Sequence, residues 1–91
     1  MNTSSGTRII DQVVVSGQDI IANESKVGYT SLTYDINLQV AKDSELLQSG
    51  QVTEVIWHFY QSPVTGEIGA SQPLLDLLDQ KGIKYLIEIN Y

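Results

Sequence analysis

The chain contains no cysteine, which excludes a disulfide framework, a cysteine-ligated zinc site and a thiol nucleophile together. No apolar run in the sequence extends beyond a few residues, so no transmembrane helix is predicted. Residues 1–6 offer neither a basic region nor an apolar core, and no signal peptide is predicted in this chain. A hydrophobic content of 42% with 18% charged residues is ordinary for a small globular domain.

Basic residues are scarce as well. Five Lys and Arg residues stand against eleven Asp and Glu residues, and the formal net charge is −6. A surface of this sign repels phosphate at long range, which disfavours nonspecific binding to nucleic acid and to anionic membranes. No basic amphipathic stretch is present to predict membrane binding.

The hydrophobic pattern predicts the element order β-β-α-β-α-β in a single domain over residues 7–91, after a flexible polar tail at residues 1–6. Strands are predicted at residues 8–15, 20–27, 52–60 and 83–89, and helices at residues 31–49 and 71–81. A hairpin followed by two helical crossovers predicts a small mixed sheet with helices packed over it, an α/β (α+β) fold. The third strand is expected to be central because it is apolar on both faces.

Turn and cap residues support these boundaries. Gly17 and Gln18 predict a two-residue type II′ turn between the first two strands. Thr30 or Ser31 is expected to cap the first helix, and Gly50 is expected to end it. The apolar face of this helix is predicted to contain residues 32, 36, 40, 43 and 47, widened by residues 38, 41 and 46.

Two carboxylates and one ammonium group are predicted to meet on one face of this hairpin. Pairing outward from the turn sets Asp11 opposite Glu24, and Lys26 shares their face because it lies two residues further on. Magnesium binds to one or two carboxylates together with waters and phosphate oxygens. A neighbouring lysine can orient or deprotonate a water, or stabilise developing negative charge. The alternative interpretation is a surface Glu–Lys pair with an incidental aspartate.

Asp11 followed by Glu24-Ser25-Lys26 resembles the D…(D/E)-x-K signature of the PD-(D/E)xK, restriction-endonuclease-like nucleases, and Gln39 matches the helical glutamine frequent in that family. The resemblance implies a restriction-endonuclease-like core with Mg²⁺ or Mn²⁺ as its cofactor. Asp11 and Glu24 would bind the metal, with the Ser25 carbonyl as a third ligand. Lys26 would position or activate the attacking water, and Gln39 would orient Lys26 or the scissile phosphate.

Longer stretches resemble a group of toxin domains found at the C-termini of secreted polymorphic and contact-dependent antibacterial toxins. These stretches are residues 23–29, 38–43, 57–66, 69–75 and 81–83. The resemblance implies an endonuclease that acts on DNA rather than RNA, is delivered into the cytoplasm of a target cell and is neutralised by a cognate immunity protein. Asp35 and Asn37 depart from the expected pattern, since a helix that binds nucleic acid would favour Arg or Lys there.

Four further residues are weaker candidates for substrate binding: Arg8, Tyr29, Lys42 and His58. His58 is the single histidine, and a packing or hydrogen-bonding role is favoured over catalysis because no second ligand or nucleophile accompanies it. Two alternatives stay open. The domain could be a non-catalytic interaction module that binds a protein partner, or it could act as a homodimer formed through an open sheet edge.

Overall fold

Six elements follow one another in the predicted order β-β-α-β-α-β, after a short two-stranded ribbon. The structure is a computed structural model that describes residues 12–88 in full and the backbone of residues 2–3 and 6–7. The ribbon strands β1 (Asn2–Thr3) and β2 (Gly6–Thr7) are antiparallel. The remaining strands are β3 (Gln12–Ser16), β4 (Asp19–Val27), β5 (Glu54–Tyr60) and β6 (Lys84–Glu88), and the helices are α1 (Tyr34–Ser49) and α2 (Gln72–Gln80).

The main sheet has four strands in the order β3-β4-β5-β6. The β3 and β4 strands form an antiparallel hairpin, whereas β4, β5 and β6 run parallel to one another. Each parallel connection passes through a helix, α1 between β4 and β5 and α2 between β5 and β6. The predicted small mixed sheet and the α/β (α+β) class are therefore confirmed. Within the described residues, neither helix is long and apolar enough to cross a membrane.

The hairpin turn has the predicted length and register. Ser16 pairs with Asp19 across a two-residue loop, and Gln12 pairs with Asn23 further along. Gly17 has a φ of 61°, and no described residue other than glycine has a positive φ. A type II′ turn needs positive φ at its first central position alone, which is why glycine is suited to this place.

Both helices lie against the same face of the sheet. Alternate residues of β5 are buried, and they share one core cluster with apolar residues of α1 and α2. The cluster consists of Ala22, Val40, Leu46, Val52, Val55, Trp57, Phe59, Leu74, Leu78 and Ile83. We call this the helix-covered face; the opposite face, which contains Asn23, Ser25, His58, Tyr60 and Glu88, is the open face. The β5 strand is interior as expected, but only one of its faces is fully buried.

The start of α1 differs from the prediction. Its N-cap is Thr33, whose Oγ1 accepts a hydrogen bond from the Ile36 amide at 3.3 Å. Thr30 is not the cap because it forms a β-bridge with Ala70, and its amide donates to the Gly69 carbonyl at 3.0 Å. The end of the helix is as predicted, with Gly50 at a φ of 79°.

Two further details of the helices were not predicted. Ala41 of α1 is exposed, although the pattern placed it on the apolar face. Ser71 occupies the N-cap position of α2, but its side chain makes no cap hydrogen bond. Its Oγ instead accepts the Leu32 amide at 3.3 Å, which ties the segment before α1 to the start of α2.

Candidate functional site

The β4 strand presents an acidic and a basic side chain on the helix-covered face. Glu24 and Lys26 are two residues apart, so strand alternation points both in the same direction. The Lys26 Nζ lies 3.2 Å from Glu24 Oε1, and the two side chains are only 17% and 7% exposed. This ion pair is therefore largely shielded from water, unlike the surface Glu–Lys pair of the alternative interpretation.

The α1 helix adds an amide to this pair. Lys26 Nζ donates a hydrogen bond to Gln39 Oε1 at 2.7 Å. The contact joins residues on two elements, because the chain leaves β4 at Gly28 and returns over the sheet as α1. Glu24, Lys26 and Gln39 thus form one cluster, which we call the lysine cluster.

An aromatic ring and a second buried carboxylate lie beside the lysine cluster. Trp57 of β5 is the register partner of Glu24, and its ring centroid is 5.2 Å from Lys26 Nζ. The indole Nε1 donates to Asp43 Oδ2 at 2.9 Å, and Asp43 is 0% exposed. Asp43 lies one helical turn after Gln39. This contact was not predicted from the sequence, where Asp43 was placed on the apolar helix face; the available signal was a carboxylate at an apolar position.

The other predicted site residues lie after β4, on α1, on the open face or outside the described residues. Asp11 and Arg8 fall outside the described residues. Tyr29 follows β4 and is 52% exposed, while Lys42 is partly buried on α1. Ser25 has an exposed side chain on the open face, and His58 is on that face as well.

His58 belongs to a separate polar network on the open face. Its Nδ1 lies 2.7 Å from Glu88 Oε1, and its Nε2 lies 2.8 Å from Asn23 Oδ1. The rings of His58 and Tyr60 stack with centroids 6.1 Å apart. The Tyr60 hydroxyl completes the network through hydrogen bonds with Glu88 and Ser25. His58 therefore joins three neighbouring strands on the face opposite Glu24 and Lys26.

Two groups of this open-face network titrate away from their usual range. The hydrogen bond from His58 is the main reason that the pKa of Glu88 is lowered, and the charge of His58 acts in the same direction. Burial, followed by the negative charge of Glu88, raises the pKa of Tyr60. The network therefore favours a charged Glu88 beside a neutral Tyr60.

The lysine cluster contains one carboxylate, that of Glu24, which is an oxygen ligand of the kind that hard divalent cations bind. Residues 12–88 contain no group of three or more acidic or histidine side chains able to hold a metal. Magnesium does not require one, because one or two carboxylates, waters and phosphate oxygens complete its shell. Glu24 supplies one carboxylate, and the second ligand predicted from the sequence, Asp11, lies outside the described residues.

Comparison with known proteins found no matching family model, no matching curated protein and no matching solved structure. The relation to restriction-endonuclease-like nucleases consequently stays a prediction from sequence motifs.

Proposed function

We propose that this domain is a metal-dependent endonuclease with a restriction-endonuclease-like core, which hydrolyses phosphodiester bonds in DNA in preference to RNA. The observation that carries the proposal is the placement of Lys26, whose Nζ lies 3.2 Å from Glu24 and 2.7 Å from Gln39. These residues match the signature positions in the sequence, and they come from a strand and a helix that meet only in the folded chain.

Each residue has a distinct proposed role. Glu24 and Asp11 hold Mg²⁺ or Mn²⁺ through their carboxylates, and the Ser25 carbonyl is the third protein ligand. When bound, the ion supplies positive charge against the phosphate and lowers the pKa of a coordinated water. Since the net charge of the chain is −6, we expect weak affinity for nucleic acid and no cleavage without the ion.

Lys26 acts in this proposal as a positive hydrogen-bond donor. Its partners are a carboxylate, an amide oxygen and the face of an aromatic ring, all of which suit an ammonium group. Lys26 therefore orients the attacking water and stabilises the negative charge that develops on the phosphate oxygens. Gln39 holds the ammonium in place. Tyr29, Lys42 and Arg8 are proposed as weaker contacts to the substrate.

The biological role is proposed from the sequence motifs. We propose a toxin module in antagonism between bacteria, delivered into a target cell and neutralised by a cognate immunity protein. The five stretches that resemble polymorphic toxin domains support this role. One of them contains Glu24 and Lys26, and another contains Gln39.

A plasmid-nicking assay tests the endonuclease. We expect the wild-type protein to nick supercoiled DNA with Mg²⁺ and to stop when EDTA is added. Glu24→Gln and Lys26→Ala should each reduce the rate by about a hundredfold or more, because each removes a group that contacts the metal or the reacting atoms. A parallel reaction with single-stranded RNA tests the preference for DNA.

Two variants serve as matched controls for this assay. Glu67→Gln and Lys81→Ala remove the same charges from exposed positions outside the lysine cluster, and we expect rates within about twofold of wild type. Equal nicking by wild type, Glu24→Gln and Lys26→Ala would mean contamination or another site, and the proposal would be wrong.

A non-catalytic protein-binding module is the second candidate, and the open face favours it. Val14, Val27 and Leu86 are 38%, 64% and 51% exposed on the side of the sheet that neither helix covers. Apolar side chains on a sheet face that neither helix covers are accessible to a protein partner. A folded protein that neither cleaves nucleic acid nor binds Mg²⁺ or Mn²⁺ would support this candidate instead.

A further inference from the structure

Asp43 is a fully buried carboxylate to which the proposed reaction assigns no role. Its Oδ2 accepts the indole N–H of Trp57 at 2.9 Å. A charge on a buried carboxylate acts strongly on neighbouring groups, because little water is present to screen it. The group that Asp43 contacts through this hydrogen bond is the indole of Trp57.

The face of the Trp57 ring connects Asp43 to Lys26. Lys26 Nζ lies 5.2 Å from the ring centroid, within the range at which an ammonium group is attracted to the electron-rich face of an indole. An indole that donates its N–H to a carboxylate is polarised, which strengthens the negative potential over its face. The charge of Asp43 is thereby transmitted through Trp57 to the ammonium group.

The helix and the strands make this arrangement a single unit. Gln39 and Asp43 are four residues apart on α1, so they lie on the same side of the helix. Gln39 contacts Lys26 directly, whereas Asp43 acts on it through Trp57. One turn of α1 thus fixes the ammonium group from two directions.

We propose that Asp43 and Trp57 are positioning residues for Lys26. This inference rests on the proposed endonuclease function, in which Lys26 orients the attacking water. Asp43 does not touch the substrate in this scheme. It restrains the lysine, so its loss should lower kcat and leave KM nearly unchanged.

Asp43→Asn is the most direct variant, because it keeps the side-chain size and one acceptor oxygen but removes the charge. We expect a folded protein whose kcat for plasmid nicking falls about tenfold, in line with a weakened cation–π contact. Asp79→Asn is the matched control, since it removes an aspartate charge from an exposed position at the end of α2. Its kcat should equal that of wild type.

NMR provides a readout that a purely structural role would not change. Trp57 is the only tryptophan, and its ring should shift the Lys26 ε-methylene protons upfield of those of the other lysines. In Asp43→Asn we expect the Lys26 signal to move toward the other lysine signals while the backbone amide spectrum stays dispersed. An unchanged Lys26 signal would overturn the proposal.

A double variant covers the case in which Asp43→Asn does not fold. Asp43→Leu with Trp57→Phe replaces both hydrogen-bonding partners by apolar groups, which is far less disruptive than removing one of them. We expect it to fold with a similar loss in kcat, and wild-type kcat in this variant would refute the positioning role. An upfield Lys26 signal in a wild-type protein that never cleaves DNA would refute the endonuclease alone. Wild-type cleavage with full kcat in Asp43→Asn would refute the positioning role alone.

Discussion

The two faces of the main sheet carry two different polar networks, although one stretch of β4 contributes to both. Glu24 and Lys26 point to the helix-covered face, where their partners come from α1 and β5. Asn23 and Ser25 point to the open face, where their partners come from the neighbouring strands β5 and β6. Four consecutive polar residues thus divide into two sites through strand alternation alone.

The difference between the faces lies in their exposure to water. The lysine cluster is covered by a helix, and electrostatic interactions are strong where water is excluded. Lys26 and His58 are equally exposed, at 17%, so the two networks differ in their carboxylates: Glu24 is 7% exposed and Glu88 is 38% exposed. Water therefore screens the carboxylate of Glu88 more than that of Glu24, and the open-face contacts join β4, β5 and β6. The more buried carboxylate thus belongs to the cluster for which we propose a chemical role, and the more exposed one belongs to the network that joins three strands.

The largest difference between the two faces should be in the free energy of unfolding that is lost when one apolar residue on each face is truncated. Phe59 is fully buried on the helix-covered face, and Phe59→Ala should lower the free energy of unfolding by about 3–5 kcal/mol. Leu86 is 51% exposed on the open face, and Leu86→Ala should cost only about 1 kcal/mol. Urea denaturation of both variants measures these losses. Equal losses would contradict the division into a covered and an open face.

Local sequence signals were sufficient to predict most of the fold. Gly17 set the hairpin turn and its register, and Gly50 set the end of α1, because each signal acts within a few residues. The start of α1 was wrongly predicted, since Thr30 is held by Ala70, forty residues further along the chain. Contacts of that kind depend on how the α2 segment packs, which no local pattern contains.

The candidate site, like the fold, could be predicted from the sequence only in part. Strand alternation placed Glu24 and Lys26 on one face, and the expected contact between Lys26 and Gln39 is present in the structure. The contact between Asp43 and Trp57 was not predicted, because it depends on the position of α1 over β5. The His58 contact with Glu88 likewise needed the parallel register of β5 and β6.

Metal binding should give a smaller difference in stability between variants on the two faces. A ligand present at ten times its Kd stabilises a folded protein by about 1.4 kcal/mol, so Mg²⁺ at that excess should raise the Tm of the wild-type protein. Glu24→Gln should lose this increase, because it removes a proposed metal ligand. Glu88→Gln removes a carboxylate from the open face and should keep it. Thermal unfolding with and without Mg²⁺ measures both, and an equal increase in the two variants would refute metal binding at Glu24.

Lowering the pH should have the smallest effect on the stability of the fold, and this effect should arise from Glu88 on the open face. The pKa of Glu88 lies below its ordinary value of 4.5, mainly because of the hydrogen bond from His58. A lowered pKa in the folded state stabilises the fold above the ordinary value, and this contribution is lost as the pH falls through the lower value. Wild type should therefore lose stability below about pH 4.5, and Glu88→Gln should lose less over the same range.

Urea denaturation at pH 7, pH 4.5 and pH 3 measures this difference, with Glu67→Gln as the control. Glu67 is exposed in the loop after β5, so its variant should follow the wild-type curve. The other charged groups on the open face, including the Glu54–Lys84 pair, are common to all three proteins and cancel in the comparison. If Glu88→Gln followed the wild-type curve as well, the contact with His58 would contribute nothing to the fold. The open face would then differ from the helix-covered face in its contribution to the stability of the fold as well as in its exposure to water.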